Sequence, residues 1–256
     1  MSKLLHKLYQ VSQTDTQPLG FNATQSAAQR QKMLLVVCLT RIDADNLADY
    51  ITGADAGLLD MPKFTTVNES LKKMLLAKPN MPWGIWLRDL GQGKANVEKT
   101  GCDFIIFSAA STPLTTIQIE GVSKLLEIKI SFNINLLRTV NDLPVDAVLT
   151  TLEPDDNYFL TWHHFMFIKY LAGLLVKPIL VSIPASITDK ELQALWEAGA
   201  DGVIVAINLE QPAGRLNELR QIIDKQIFPS RHKQTRREVL LPYTNLPPEM
   251  STEEEE

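Results

Sequence analysis

One stretch of the sequence decides the fold: Lys177-Pro-Ile-Leu-Val-Ser-Ile-Pro-Ala-Ser-Ile-Thr-Asp-Lys-Glu-Leu-Gln-Ala-Leu-Trp-Glu-Ala-Gly-Ala-Asp-Gly-Val-Ile-Val-Ala-Ile207. The apolar run 179–183 predicts a buried strand, because neither of its faces carries a regular polar alternation. Thr188 and Glu191 have the spacing of a capping box, in which each side chain bonds the backbone amide of the other residue at a helix start. The run 203–207 predicts a second buried strand. The stretch is therefore a β-α-β unit with parallel strands.

The same alternation of strand and helix extends through the chain from residue 33 onward. We predict eight strands, at Met33–Leu39, Ala56–Leu59, Trp83–Leu87, Phe104–Ser108, Leu125–Ile130, Ala147–Thr151, Ile179–Ile183 and Val203–Ile207. We predict a helix after each strand, at residues 43–51, 67–77, near 94–99, 115–124, 134–141, 159–175, from 188 to the glycine at 199, and 213–226. Strands that alternate with helices in this way are typical of a parallel sheet.

A short motif repeats before every second predicted strand: Gly53-Ala-Asp55, Gly101-Cys-Asp103, Pro144-Val-Asp146 and Gly199-Ala-Asp201. A repeat at this spacing indicates a closed, quasi-symmetric array rather than an open sheet. Eight parallel strands over this length match the (βα)8 TIM barrel of the α/β class, and a doubly wound open sheet is the alternative. The four aspartates precede their strands, so we predict a structural role for them on the bottom face, at the starts of the strands.

Composition and charge exclude several classes of function. Of the 256 residues, 45% are hydrophobic and the net charge is −5, of which the final four glutamates supply most. The rest of the chain is near neutral, so we expect no nucleic-acid partner. Cys38 and Cys102 lie in separate apolar runs and are predicted to be reduced core thiols. No signal peptide is evident and charges interrupt the longest apolar stretch, so we expect a cytoplasmic protein with no membrane partner.

We divide the chain into three parts. Residues 1–31 are predicted to form a short amphipathic helix at 3–11 and an arm, residues 32–228 the barrel, and residues 229–256 a tail. The tail has a basic run at 231–237, an apolar run at 239–243 and an acidic end that we expect to be disordered and solvated. Both termini carry apolar residues that need cover. The barrel's outside, its bottom opening or a neighbouring subunit of a homo-oligomer could supply it, and the sequence leaves these three open.

In a barrel of this kind the active site lies where the strands end. Polar residues at the predicted strand ends are Arg41, Asp60, Arg88, Ser108, Lys129, Thr151 and Glu153. We predict that Arg41 and Arg88 bind an anionic group of the substrate, since guanidinium groups bind carboxylates and phosphates bidentately. Asp60 or Glu153 is the candidate acid or base in a water-poor mouth. Ser108, Lys129 and Thr151 are further candidate substrate-binding residues. Adjacent His163 and His164 lack the spacing of metal ligands, and no metal site is predicted.

The segment Glu197-Ala-Gly-Ala-Asp-Gly-Val-Ile-Val205 resembles the start of the eighth strand in flavin- and phosphate-binding TIM-barrel enzymes, and the resemblance covers roughly residues 33–226. Those families carry glycine-rich turns after strands seven and eight, but the matching turns here, 184–187 and 208–212, contain no glycine. Aldolase-type barrels carry a lysine at the end of strand six, where Thr151 stands here. We therefore expect no cofactor. Two functions stay open: a cofactor-independent lyase or isomerase acting on a small anionic metabolite, or a non-catalytic barrel that binds or assembles with partners.

Overall fold

The computed structural model describes residues 2–12, 32–40, 50–60, 71–88 except 73 and 77, 97–152, 159–207, 214–226 and 228. The predicted arm at 13–31 and the predicted tail at 229–256 lie outside these residues.

Eight parallel strands close into one barrel. They are β1 (Leu34–Leu39), β2 (Ala56–Asp60), β3 (Trp83–Leu87), β4 (Phe104–Ser108), β5 (Ser123–Lys129), β6 (Ala147–Thr151), β7 (Ile179–Ile183) and β8 (Gly202–Ile207). The strands neighbour one another in chain order, and β8 pairs with β1 from Leu34–Gly202 to Leu39–Ile207. A sheet closed in this way has no edge strands. The predicted closed barrel is thus confirmed, with strand bounds within two residues of those predicted.

Four α-helices are described: α1 (Lys3–Ser12), α2 (Trp162–Leu174), α3 (Asp189–Ala198) and α4 (Arg215–Lys225). The predicted capping box opens α3: the Thr188 amide donates to Glu191 Oε2 at 2.8 Å, and the Glu191 amide donates to Thr188 Oγ1 at 3.3 Å. Gly199 ends the helix at φ 116°, in the left-handed region, and an added Cβ there would lie 2.3 Å from Ala172 Cβ of α2. A glycine is therefore needed at this corner for both its backbone and its packing.

The segments after β3, β4 and β5 differ from the prediction. They contain 3₁₀ turns at Val97–Thr100, Leu114–Gln118, Ile134–Leu136 and Arg138–Asp142. The helix predicted at 115–124 is wrong, because its last residues already belong to β5. Thr115, Thr116 and Ile117 are β-branched and lose rotamer freedom in a helix, which favours the short turn. Of the helices predicted at 43–51 and 67–77, residues 50–51, 71–72 and 74–76 are described and are helical.

The strand register sorts side chains into an inner and an outer face of the barrel, because paired residues of parallel strands point the same way. In the lower part of the barrel the inner face is apolar, with Val36, Leu58, Phe104 and Leu180 all fully buried. Gly84 also lies on this face, and a Cβ there would overlap the Phe104 ring at 2.2 Å. The missing side chain therefore makes room for a large ring, and the interior is packed rather than open.

Helix α1 closes the amino-terminal opening of the barrel. The Asp103 carboxylate accepts hydrogen bonds from the amides of Lys3 and Leu4, both at 2.8 Å, and so caps the helix. Ser123 Oγ, on the inner face where β5 begins, donates to Ser2 Oγ at 2.8 Å. Leu4 and Leu8 have no exposed surface. The predicted helix is confirmed, and of the three places left open for it the structure selects the bottom opening.

The other three repeated aspartates join neighbouring strands. We call Asp55, Asp103, Asp146 and Asp201 the strand-start aspartates. Three carboxylates accept the amide of a residue in the preceding odd-numbered strand: Asp55 from Leu35 at 2.9 Å, Asp146 from Lys124 at 2.8 Å, and Asp201 from Ile179 at 2.8 Å. In return, the backbone amide of each aspartate donates to the carbonyl of its partner, which is Leu35, Lys124 or Ile179, at 2.8 Å. The predicted structural role at the strand starts is confirmed.

Within the described residues, no helix has the length and apolar character needed to cross a bilayer.

Replacing Asp201 with alanine should destabilise the fold. Asp201 has no exposed surface, so its loss leaves the buried Ile179 amide without its acceptor, at a cost of about 1–3 kcal/mol. The half-buried Asp146→Ala variant should lose less, since water can replace its carboxylate. Urea denaturation measures both. A loss for Asp201→Ala no larger than that for Asp146→Ala would contradict this account.

Truncating α1 at its buried face should also destabilise the barrel. Leu8→Ala should lower the free energy of unfolding by about 2–5 kcal/mol, the range for a buried leucine. The exposed His6 lies on the same helix, so His6→Ala is the matched control and should change little. Thermal and urea denaturation test the pair. Equal stabilities would mean that α1 contributes nothing to closing the barrel.

Candidate functional site

Charged and polar side chains gather on the inner face where the strands end. We call Cys38, Asp60, Trp86, Arg88, Glu127 and Thr151 the mouth cluster. The register places Cys38, Asp60, Trp86, Glu127 and Thr151 on the inner face of β1, β2, β3, β5 and β6, and Arg88 follows β3 on the same side. This is the end of the barrel away from α1.

Arg88 and Asp60 form a bidentate ion pair at the centre of the cluster. Arg88 Nε donates to Asp60 Oδ1 at 3.0 Å, and Nη2 donates to Oδ2 at 2.8 Å. Two parallel hydrogen bonds of this kind fix the plane of the guanidinium. Because the Arg88 side chain is 44% exposed, it can still meet a ligand from the solvent side.

Glu127 lies deeper and is the most buried charge of the cluster, with a side chain only 3% exposed. Its Oε1 accepts a hydrogen bond from Thr151 Oγ1 at 3.1 Å and lies 3.7 Å from Arg88 Nη1. Removing a carboxylate from water costs several kcal/mol unless charges and hydrogen bonds compensate, and Arg88 and Thr151 supply that compensation. The cluster therefore connects strands β2, β3, β5 and β6 electrostatically.

Trp86 forms the floor beneath Arg88. The Arg88 Cζ lies 3.7 Å from the centroid of the Trp86 ring, a cation–π contact. Trp86 is 4% exposed, and its Nε1 has no hydrogen-bond partner within the described part of the chain. The guanidinium is thus held in its plane by Asp60 and from below by the ring.

The electrostatic surroundings shift two pKa values. Burial lowers the pKa of Arg88, but the hydrogen bond and charge of Asp60, with Glu127, outweigh it, so the pKa is raised and Arg88 keeps its charge. Burial, together with the negative charge of Asp60, raises the pKa of the Cys38 thiol well above its ordinary value, although Arg88 opposes the shift. Cys38 is therefore a neutral thiol in the wall of the site.

Two small side chains lie on the inner face near the ends of β7 and β8. Ala206 of β8 lies on the inner face and is exposed, and it pairs in the sheet register with Cys38 of β1. Ser182 of β7, also on the inner face, is half-buried. The inner face at the ends of β7 and β8 therefore carries small side chains, whereas the charged residues of the cluster lie on β2, β5 and just after β3.

The structure brings together three of the predicted site residues, Asp60, Arg88 and Thr151. Ser108 is half-buried on the inner face and pairs in register with Glu127, while its Oγ accepts the Ala110 amide at 3.4 Å. Lys129 lies on the same face, two residues beyond Glu127, and is exposed at the rim. The predicted Arg41 and Glu153 lie outside the described residues.

Three members of the cluster, Cys38, Trp86 and Glu127, were not among the predicted site residues. Glu127 stands inside a predicted strand. The available signal was the spacing of Glu127 and Lys129 in the otherwise apolar run 125–130, which places both charges on one face. Cys38 was assigned to the core, and the structure does bury it, but next to the ion pair. Among the described residues, no group of three or more side chains has the arrangement of a metal site.

Solved structures with a similar fold are forms of the tryptophan synthase alpha-subunit from the hyperthermophile Pyrococcus furiosus. One mutant structure has a TM-score of 0.58 at 14% sequence identity, covering 75% of this chain and 97% of that one. A second mutant gives 0.59 at 12%, covering 75% and 96%. A structure from a study of entropic stabilisation gives 0.56 at 13%, also covering 75% and 96%. At these identities the similarity establishes the fold. No protein-family model and no curated protein sequence matches the chain.

The thiol of Cys38 gives a pH-dependent prediction. An unfolded thiol ionises near pH 8.5, whereas the folded thiol with its raised pKa does not, so the Cys38 contribution to stability is complete below about pH 8.5 and is lost as pH rises above it. Urea denaturation between pH 7.5 and 10 should show a weaker alkaline loss of stability in Cys38→Ala than in the unmodified chain. Burial also raises the pKa of Cys102, so Cys102→Ala serves as a second measurement. An identical pH dependence with and without Cys38 would contradict the assignment.

Proposed function

The chain is a TIM barrel, and on that premise we propose that its mouth cluster binds a small anionic metabolite and catalyses a cofactor-independent lyase or isomerase reaction. The observation that carries the proposal is the Arg88–Asp60 ion pair beside the buried Glu127 carboxylate. Apolar side chains fill the lower barrel, so the charges are confined to the end where barrel enzymes hold their active sites. The structural neighbours are also subunits of a protein named as a synthase.

Glu127 is the proposed acid–base residue. Its buried carboxylate accepts a hydrogen bond from Thr151 and lies 3.7 Å from Arg88 Nη1, so it is held in a fixed position at the mouth. As a carboxylate, Glu127 would take a proton from the substrate. As the resulting carboxyl group, it would return the proton to a neighbouring atom in an isomerase, or to the departing fragment in a lyase. Either cycle leaves the enzyme unchanged.

Arg88 is the proposed binding residue for the anionic group, and Asp60 positions it. Asp60 accepts from Nε and from one hydrogen of Nη2, so a ligand can still bind the second Nη2 hydrogen and Nη1, which also lies 3.7 Å from Glu127 Oε1. Two carboxylates and one guanidinium give the described cluster a negative balance, which disfavours an anion. An anionic ligand therefore needs a second positive charge beside Arg88. Among the residues that the structure describes, Lys129 at the rim is the candidate. Arg41 and Glu153 keep their proposed roles as a second anion-binding residue and an alternative acid or base.

A non-catalytic barrel is the second candidate function. It is favoured by the turn after β7, which contains no glycine to bring backbone amides close to a phosphate, and by the neutralisation of Arg88 by Asp60 within the protein itself. In such a protein the cluster would stabilise the barrel rather than bind a substrate. The two candidates differ in whether a small molecule binds at the mouth.

A thermal-shift screen with small mono- and dicarboxylates and phosphorylated sugars tests the proposal. A ligand present at about 100 times its dissociation constant should add about 2.7 kcal/mol of stability. Arg88→Lys keeps the positive charge but loses the planar guanidinium that binds anions bidentately, so this variant should bind the same compound more weakly. Glu127→Gln should still bind the compound but convert it about 10²–10⁴ times more slowly.

Glu218→Gln, an exposed change on α4 that removes only the surface ion pair with Arg215, is the matched control. It should bind and convert the compound as the unmodified chain does. A compound that binds equally to the unmodified chain and to Arg88→Lys would place the ligand elsewhere. Binding at the mouth with equal turnover in Glu127→Gln would remove Glu127 from the chemistry. No binding by any compound class would favour the non-catalytic candidate.

A further inference from the structure

An apolar groove lies on the outside of the barrel, between the start of α2 and the length of α3. Its volume is about 360 Å³, and it is lined by Leu160, Trp162, Phe165, Ala194, Leu195 and Glu197 among others. Trp162 is 81% exposed, and Phe159, just before the helix, is 64% exposed. Trp162 and Phe165 pack edge to face, with ring centroids 6.0 Å apart. Large aromatic surface left open beside a groove is typical of a site that another segment covers.

We propose that this groove binds the chain's own tail, with the apolar run Val239-Leu-Leu-Pro-Tyr243 seated between α2 and α3. The described chain ends close to one wall of this groove. The Phe228 ring lies 4.8 Å from the Trp196 ring, and Trp196 belongs to α3, the helix that forms one wall of the groove. The tail therefore starts about 10 Å from the groove, one helix width away.

The length of the intervening chain fits this path. Residues 229–238 separate Phe228 from the apolar run and can span up to about 33 Å when extended. That is enough to cross over α3 and enter the groove without strain. A segment tethered so closely binds at a millimolar effective concentration, which favours it over a free second copy of the chain.

Charge also favours the tail as the occupant of the groove. Two carboxylates, Glu191 and Glu197, line the groove, and the segment that must cross α3 carries the basic run 231–237. Lys169 also lies here, with its Nζ donating to the Glu197 carbonyl at 2.9 Å, so part of the negative charge is already balanced. The apolar run then supplies side chains for the aromatic wall. A second group of exposed apolar residues, Leu114, Ile117, Ile134 and Leu136, lies on the segments after β4 and β5, farther around the barrel from Phe228, and Leu76 is exposed on the helical segment after β2.

Trp162 reports occupancy of the groove in the full-length chain. Trp83, Trp86 and Trp196 are buried, so acrylamide should quench chiefly Trp162 wherever that side chain is open. We expect weak quenching in the unmodified chain, and severalfold stronger quenching in the double variant Leu240→Asp/Leu241→Asp, in which charge would expel the tail from the apolar groove. Ser251→Asp/Thr252→Asp adds the same charge to the same tail outside the apolar run and should leave quenching unchanged. Equal quenching in all three proteins would overturn the proposal.

Cysteine pairs separate the tail from other occupants. Leu241→Cys with Ala194→Cys should form a disulfide within one chain under mild oxidation, because a groove contact brings the Cβ atoms to about 4 Å. Leu241→Cys with Thr115→Cys, on the opposite side, should not. The native Cys38 and Cys102 are buried and do not compete. A disulfide between two chains would assign the groove to a second copy, and one with Thr115 would assign the tail to the other apolar surface; either result overturns the proposal.

Discussion

Carboxylates at the starts of alternate strands fix the amino end of this barrel. Three of them, on Asp55, Asp146 and Asp201, accept a hydrogen bond from a backbone amide of the preceding strand. The amide of each aspartate donates in return to the carbonyl of that same strand residue. The fourth, on Asp103, uses the same position to hold the first turn of α1. One motif thus supplies both the strand junctions and the cover of the bottom opening. With that end closed, the carboxyl end is left as the accessible part of the interior.

At the carboxyl end of the barrel, the charged side chains stabilise one another, and a charge left without its partner would destabilise the fold. Arg88 is bonded to Asp60, lies above Trp86 and is close to Glu127, which Thr151 also contacts. Removing one member of a buried ionic network leaves its partners uncompensated, so the energies of these residues are not additive. The arrangement is also one-sided: the charges project from β2, from β5 and from the end of β3, whereas the inner-face residues near the ends of β7 and β8 are the small Ser182 and Ala206. Such asymmetry suits a site that holds a ligand against one wall.

The sequence predicted the barrel well because several local signals agreed. The Thr188–Glu191 capping box, the left-handed Gly199 and the repeated aspartates each constrain the same β-α-β geometry, and all were found as expected. The segments after β4 and β5 were harder, because the threonine-rich run near Thr116 has no strong helical period. For the site, strand ends predicted Asp60 and Arg88. They did not predict Glu127, whose position within β5 becomes significant only when the closed sheet turns it toward Arg88.

The aspartate pairs also differ in how far apart along the chain their partners lie. Asp55, Asp146 and Asp201 join residues 20 to 22 positions away, whereas Asp103 binds the amides of Lys3 and Leu4, 100 and 99 positions away. Contacts between distant residues close a large loop and form slowly, while the short pairs can form within a nascent two-strand unit. During synthesis, α1 leaves the ribosome before the barrel strands, but its acceptor, Asp103, follows only just before β4. α1 is therefore synthesised before the strands that form its binding site but docks only after them. Its apolar face stays exposed during that interval.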